Sequence, residues 1–234
     1  LYTEQVFLMP KSYFITGTST NIGKTYIATG LLSAASSLGL STAGFKPVAA
    51  GCEATADGLQ NDDAQKLLSQ TSISLSYQQV NPVALKPYIA PHIAAAEIGQ
   101  RLNLERLAGF YRGLMTKKPD FCVVEGAGGW RVPLNDQETF SDFAKLIKLP
   151  VILVVGMDLG CINHAILTAE SIRRDGLPLA GWVANQIVAD MDHYKENILT
   201  LKRWISSPMI GEVAYKPEAS VDEVAVQLNI KALL

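Results

Sequence analysis

Six short runs of apolar, largely β-branched residues punctuate the chain, at 13–16, 42–45, 121–125, 151–155, 179–185 and 209–213. Such residues suit a pleated, buried surface, so each run predicts a strand. The fourth, Val151-Ile152-Leu153-Val154-Val155, never alternates with polar residues. A strand apolar on both faces belongs in a parallel sheet covered by helices on both sides. Between the runs, apolar residues recur at spacings of three and four. In 104–117, Leu104, Leu107, Phe110, Tyr111 and Leu114 fall on one helical face. Segments 26–38, 162–175 and 193–204 also predict helices. Alternating strand and helix implies parallel βαβ units. The predicted fold class is α/β, a single domain at 12–234 with a mostly parallel sheet between two helical layers. An N-terminal extension at 1–11 is expected to be disordered, with Met9 as a candidate natural start. The stretch 52–91 has weaker periodicity and predicts loops plus a short helix at 64–69.

The chemistry begins after the first strand. Gly17-Thr18-Ser19-Thr20-Asn21-Ile22-Gly23-Lys24-Thr25 joins a strand to a helix, which is the layout of a phosphate-binding loop. Its backbone N–H groups and the helix N-terminus attract a polyphosphate. Lys24 would neutralise the outer phosphates, and Thr25 would offer its hydroxyl to Mg²⁺. Five residues separate Gly17 from Gly23, where the usual motif has four.

In open parallel sheets, ligands bind beyond the carboxyl ends of the strands. Several predicted strands end there in polar residues. Lys46 follows the second strand and precedes Pro47, which holds it extended. It can face a transferred phosphoryl group or simply be a solvated lysine. Glu125, followed by Gly126-Ala127-Gly128-Gly129, can hold Mg²⁺ or end a strand in an ion pair. Asp63 can be a further metal ligand or a helix cap. Asn185 can match an adenine edge or occupy a turn. The start of the helix at 162–175 offers free N–H groups to a carboxylate, unless Asn163 caps it.

Composition narrows the field. Twenty basic and 22 acidic residues give a net charge of −2, with no electrostatic footprint for nucleic acid or anionic membrane. The three cysteines, Cys52, Cys122 and Cys161, are far apart and show no zinc spacing, which suits a reducing, cytoplasmic compartment. No run approaches the ~18 apolar residues of a membrane span, and residues 1–10 do not read as a signal peptide. His92, His164 and His193 form no triad, and Cys161 has no base in view.

Taken in order, the motifs resemble the dethiobiotin synthetases. They are the long loop 17–25, Gly44-Phe45-Lys46-Pro47-Val48, Asn61 to Asp63, Val124-Glu125-Gly126-Ala127-Gly128-Gly129-Trp130, Leu159-Gly160-Cys161-Ile162-Asn163-His164, and Gly181-Trp182-Val183-Ala184-Asn185. The resemblance covers 12–234 and implies a P-loop NTPase-like fold with ATP and Mg²⁺ as cofactors. It implies 7,8-diaminopelargonic acid and CO₂ as substrates, and a homodimer with the site near its interface. By that resemblance Lys24, Lys46 and Thr20 are catalytic, and Thr25, Asp63 and Glu125 hold Mg²⁺. Asn21, Ile22, Gly23, Tyr26, Gly126, Ala127, Gly128, Asn185 and Gln186 join the nucleotide site, with Asn185 reading adenine. Ala50 and the partner's Gly160, Cys161, Ile162 and Asn163 meet the diamine. Two positions depart from the family pattern: Asn21 often stands as an acid, and Ala50 as a hydroxyl residue. The runner-up reading is a nucleotide-switch ATPase of the partition or cluster-loading type. That class carries a loop lysine where this chain has Ser19.

Overall fold

The computed structural model describes residues 11–234. The expectation for 1–11 falls outside the described residues except at Lys11, which already belongs to the first strand. In chain order the elements are β1 (Lys11–Gly17), α1 (Lys24–Ser36), β2 (Thr42–Phe45), β3 (Val48–Ala50), β4 (Glu53–Thr55), β5 (Gly58–Gln60), α2 (Asp62–Ser69), α3 (Tyr77–Val80), β6 (Val83–Leu85) and α4 (Pro91–Glu97). The second half runs α5 (Leu104–Met115), β7 (Phe121–Gly129), α6 (Phe140–Ile147), β8 (Val151–Met157), α7 (Cys161–Arg174), β9 (Leu179–Gln186), α8 (Tyr194–Trp204), β10 (Met209–Val213), α9 (Val221–Ala225) and a 3-10 turn (Ile230–Leu233).

Six strands form one sheet in the order β10-β9-β8-β1-β7-β2, and every neighbouring pair is parallel. The strand order reverses at β1, because β2 and β7 extend the sheet one way and β8 to β10 the other. Such a reversal opens a crevice at the carboxyl ends of the strands. Two small ladders flank the sheet, β3 parallel to β6 and β4 antiparallel to β5.

The unbroken apolar run of β8 now has its reason. Val151, Leu153, Val155 and Met157 pack into the core under α5, α6, α7 and α8. Ile152 and Val154 point the other way, into the core under α1 and α9. Each such fully buried side chain contributes roughly 1.5–3 kcal/mol, so neither face can turn polar.

All six predicted strands are present, β2 and β10 with the expected bounds. On α5 the buried face is Leu104, Leu107, Ala108, Tyr111 and Leu114. Phe110 is a correction: it is 37% exposed, with the Arg106 guanidinium 5.6 Å over its ring. It lies one position off the seam defined by Leu107 and Tyr111, and Ala108 fills that place. The short helix expected at 64–69 is α2, while helices α3, α4, α6 and α9 and the two ladders were not legible in the apolar pattern. α6 does carry a local signal, since Asp142 reaches back to accept from the Thr139 backbone N–H at 2.8 Å.

Candidate active site

The loop between β1 and α1 is held from below. Thr18 N–H donates to Val154 O at 3.0 Å, and Gly156 N–H donates to the Thr18 hydroxyl at 3.3 Å. The Ile22 side chain is buried between two glycines: a Cβ on Gly17 would sit 2.7 Å from its Cδ1, and one on Gly156 2.5 Å from its Cγ2. Gly23 begins α1 at φ 84°, a left-handed conformation, and no side chain caps the helix. The N–H groups of its first turn are therefore free for an anion.

Two lysines stand over this loop. Lys24 Nζ donates to Ser19 O at 2.9 Å. Burial lowers its pKa to about 8; Glu125 raises it and Lys46 lowers it further. A phosphate beside it would raise that pKa again and hold it fully charged. Lys46 is buried and donates to Glu125 Oε1 at 2.6 Å and Asp63 Oδ2 at 2.7 Å. Burial works against its charge, but the two carboxylates outweigh it and raise its pKa. Asp63 is affected in the opposite sense. Burial alone would raise its pKa, and Lys46 brings it below the ordinary value.

Glu125 lies inside β7, paired with Ile15, and not at the strand's end. Its Oε1 also accepts from the Thr25 hydroxyl at 2.8 Å, while its Oε2 is buried without a partner. Asp63 is not the cap of α2. Asn61 caps it by accepting from Ala64 N–H, which leaves Asp63 free to face Lys46.

These side chains line one cavity of about 660 Å³, within the range of small-molecule sites. Of the residues expected from sequence, Thr20, Asn21, Gly23, Lys24, Thr25, Tyr26, Lys46, Ala50, Asp63, Glu125, Ala127 and Gly128 line it. Ile22 lies beneath the loop. Gly126 sits against Phe14, which a Cβ there would approach to 3.0 Å. Asn185 is buried behind the loop and donates to Ile22 O at 2.8 Å. Gln186 donates to Ala189 O and accepts from Tyr215 N–H. Gly160, Cys161, Ile162 and Asn163 open α7 away from this cavity, with Gly160 left-handed at φ 97° and no side-chain cap from Asn163.

Sequence reasoning missed one wall. Tyr88, Ile89, Ala90 and Pro91 form a further wall of the cavity, and the Tyr88 hydroxyl donates to Asn21 Oδ1 of the loop at 3.4 Å. Gly51, at φ 73°, makes room for the Tyr88 ring, which a Cβ would meet at 2.5 Å. This wall comes from the stretch of weak periodicity. Its legible signals are Pro91, well placed to start a helix, and the turn at Gly51.

The residues present fit Mg²⁺. The partnerless buried oxygen of Glu125, the Asp63 carboxylate and the Thr25 hydroxyl are hard oxygen donors that converge beside the loop. Among the described residues no group of three or more His, Cys, Asp or Glu could cage a metal. Mg²⁺ needs no such cage, because it keeps waters and phosphate oxygens in its shell.

A glycine-bounded Lys-Thr loop on the central strand of an all-parallel sheet, with an acid on the adjoining strand, makes this a P-loop nucleotide-binding protein. The family model described as AAA domain matches residues 11–222. Solved structures agree on the fold alone. The MinC:MinD cell division protein complex of Aquifex aeolicus aligns with TM-score 0.55 at 14% identity, covering 95% of this chain and 92% of that one. A ParA family ATPase from Chlorobium tepidum aligns with TM-score 0.54 at 11% identity, covering 94% and 91%. The sequence relatives are much nearer. The ATP-dependent dethiobiotin synthetase BioD of Cellvibrio japonicus is 55% identical over 96% of this chain and 98% of its own length. Those of Pseudomonas aeruginosa PAO1 (54%; 95% and 97%) and Aeromonas salmonicida (45%; 97% and 100%) agree. The chain belongs to the ATP-dependent dethiobiotin synthetase family.

Proposed function

We propose that this chain closes 7,8-diaminopelargonic acid and CO₂ into the cyclic urea dethiobiotin, with conversion of ATP to ADP and phosphate. One amine adds CO₂ to form a carbamate. A carbamate oxygen attacks the γ-phosphorus, giving a carbamic–phosphoric anhydride and ADP. The second amine then attacks the carbamoyl carbon, closes the ring and releases phosphate. No acyl-enzyme forms, so the protein's work is to position groups and stabilise charge.

The observation that carries this reading is Lys46. It is a buried ammonium held at 2.6 and 2.7 Å by two carboxylates, in the same cavity as Gly23 and Lys24 of the phosphate loop. An ammonium so fixed suits the negative charge shared by carbamate and γ-phosphate. Lys24 and the first-turn N–H groups of α1 hold the phosphates, with Thr20 on the γ-phosphate side. Thr25, Asp63 and Glu125 would hold Mg²⁺, which when bound screens the charge between the phosphates. Asn21 can orient an amine but cannot carry off its proton. That proton passes to phosphate or water. Ala50 offers only a methyl group, so any donor on that side is backbone or water.

The reading includes a homodimer in which the partner's α7 N-terminus meets the substrate's distant carboxylate. What supports it is the N-terminus of α7, which follows the left-handed Gly160 and which no side chain caps, so that it can receive an anion. It places the reaction in the cytoplasm, in keeping with Cys52, Cys122 and Cys161 free and buried; no helix among the described residues is long and apolar enough to cross a membrane. The test is direct. Purified protein with diaminopelargonic acid, bicarbonate and MgATP should yield a cyclic urea by mass spectrometry, with one phosphate per ring. Phosphate release that ignores the diamine would favour the nucleotide-switch reading.

A further inference from the structure

Asn185 is a buried polar side chain at the carboxyl end of β9, and its backbone is fixed on both sides, paired with Gly156 of β8 and Val213 of β10. Its side chain crosses 163 residues of sequence to donate to Ile22 O at 2.8 Å. A carbonyl can only accept, so the amide nitrogen must face it. The next residue, Gly23, leaves this nitrogen its space: a Cβ there would lie 2.2 Å from Asn185 Nδ2.

The consequence lies on the far side of that peptide. No peptide bond among the described residues is cis. In a trans peptide the C=O and N–H point in opposite directions. Drawing the Ile22 carbonyl toward Asn185 therefore turns the Gly23 N–H away from Asn185, and Gly23 lines the cavity. The Ile22 side chain is locked at the same time between Gly17 and Gly156. The loop is thus fixed by side chain and carbonyl together before any ligand arrives.

We infer that Asn185 is a positioning residue for the phosphate loop, acting through the Ile22 carbonyl on whatever triphosphate binds, independently of the base. This rests on the reading of 17–25 as the triphosphate site. A residue that only read adenine would matter for adenine nucleotides alone, and would leave the empty loop as it is.

The test uses the full chain and two variants, Asn185→Ala and Asn185→Leu, the second keeping side-chain volume. Binding of MgATP, MgCTP and Mg-tripolyphosphate is measured by calorimetry, and amide hydrogen exchange is followed in the nucleotide-free protein. Tripolyphosphate and CTP affinity should fall about tenfold, the scale set by one buried hydrogen bond. Exchange should rise at Thr18 and Ile27, whose N–H groups pair with Val154 O and Gly23 O around the loop, while the strands stay protected. Unchanged tripolyphosphate affinity, or unchanged exchange at Thr18 and Ile27, in a folded variant overturns the inference. Failure of the unaltered protein to bind any of the three ligands would instead defeat the triphosphate reading, and the exchange experiment would still judge Asn185.

Discussion

Lys46 and Glu125 meet at 2.6 Å with their side chains 5% and 1% exposed, so each is the other's principal counter-charge. A lysine about 3.5 Å from a phosphate oxygen contributes about 5 kcal/mol at an effective dielectric near 20. Part of that acts only on the transition state, and each ~1.4 kcal/mol of that part is tenfold in rate. Lys46→Gln keeps a donor for Glu125 but removes the charge. Turnover should fall by about two orders of magnitude or more, with the circular dichroism spectrum unchanged. Near-normal turnover in the folded variant would take Lys46 out of the mechanism.

Gly23 is tested by a single methyl group. Gly23→Ala meets both the left-handed backbone at φ 84° and the Asn185 amide. The backbone alone costs about 1–2 kcal/mol, and the contact adds to it. In a chain of this size a loss of ~2 kcal/mol lowers the melting temperature by about 4–8 °C, and MgATP binding should be lost. Combining it with Asn185→Ala removes the contact but not the backbone strain, so melting should recover only in part. Differential scanning calorimetry of the two variants decides this.

Alkaline stability has a source in the centre of the sheet. Burial pushes the Cys122 thiol from 9.0 up to about 12. Between those values the unfolded chain loses the thiol proton and the folded chain keeps it. Stability from this group is complete below pH 9 and declines as pH rises toward 12, by up to about 1.4 kcal/mol per pH unit. Urea midpoints measured across that window should fall less steeply for Cys122→Ala than for the unaltered chain. Parallel slopes would show that the thiol does not contribute.

The two faces of α5 give a pair of unequal substitutions. Leu107 is 1% exposed and Phe110 37%. Leu107→Ala should cost about 2–5 kcal/mol, whereas Phe110→Ser should lie within about 1 kcal/mol of neutral. Equal losses in denaturant titrations would contradict the assignment of the buried face.

What the sequence made legible follows from where the signals are local. Strands buried on both faces announce themselves by unbroken apolar runs, as in Val151 to Val155. The phosphate loop announces itself because its chemistry is contiguous from Gly17 to Thr25. Asp63 was ambiguous because a carboxylate near a helix start serves equally as cap or ligand, and only the cap at Asn61 resolved it. The wall of Tyr88 to Pro91 was not legible, because its place is set by packing across β3 and β6 and not by any periodicity of its own. Phe110 was misplaced because three-and-four spacing admits residues on both shoulders of a helical stripe, and packing then selects one.

The ionic cluster joins Thr25, Lys46, Asp63 and Glu125, residues drawn from four separate crossings of the chain. No fragment made early in synthesis contains all four. A chain in which these segments have not yet come together lacks the completed cluster. Tight capture of a nucleotide can therefore report that these four segments have come together.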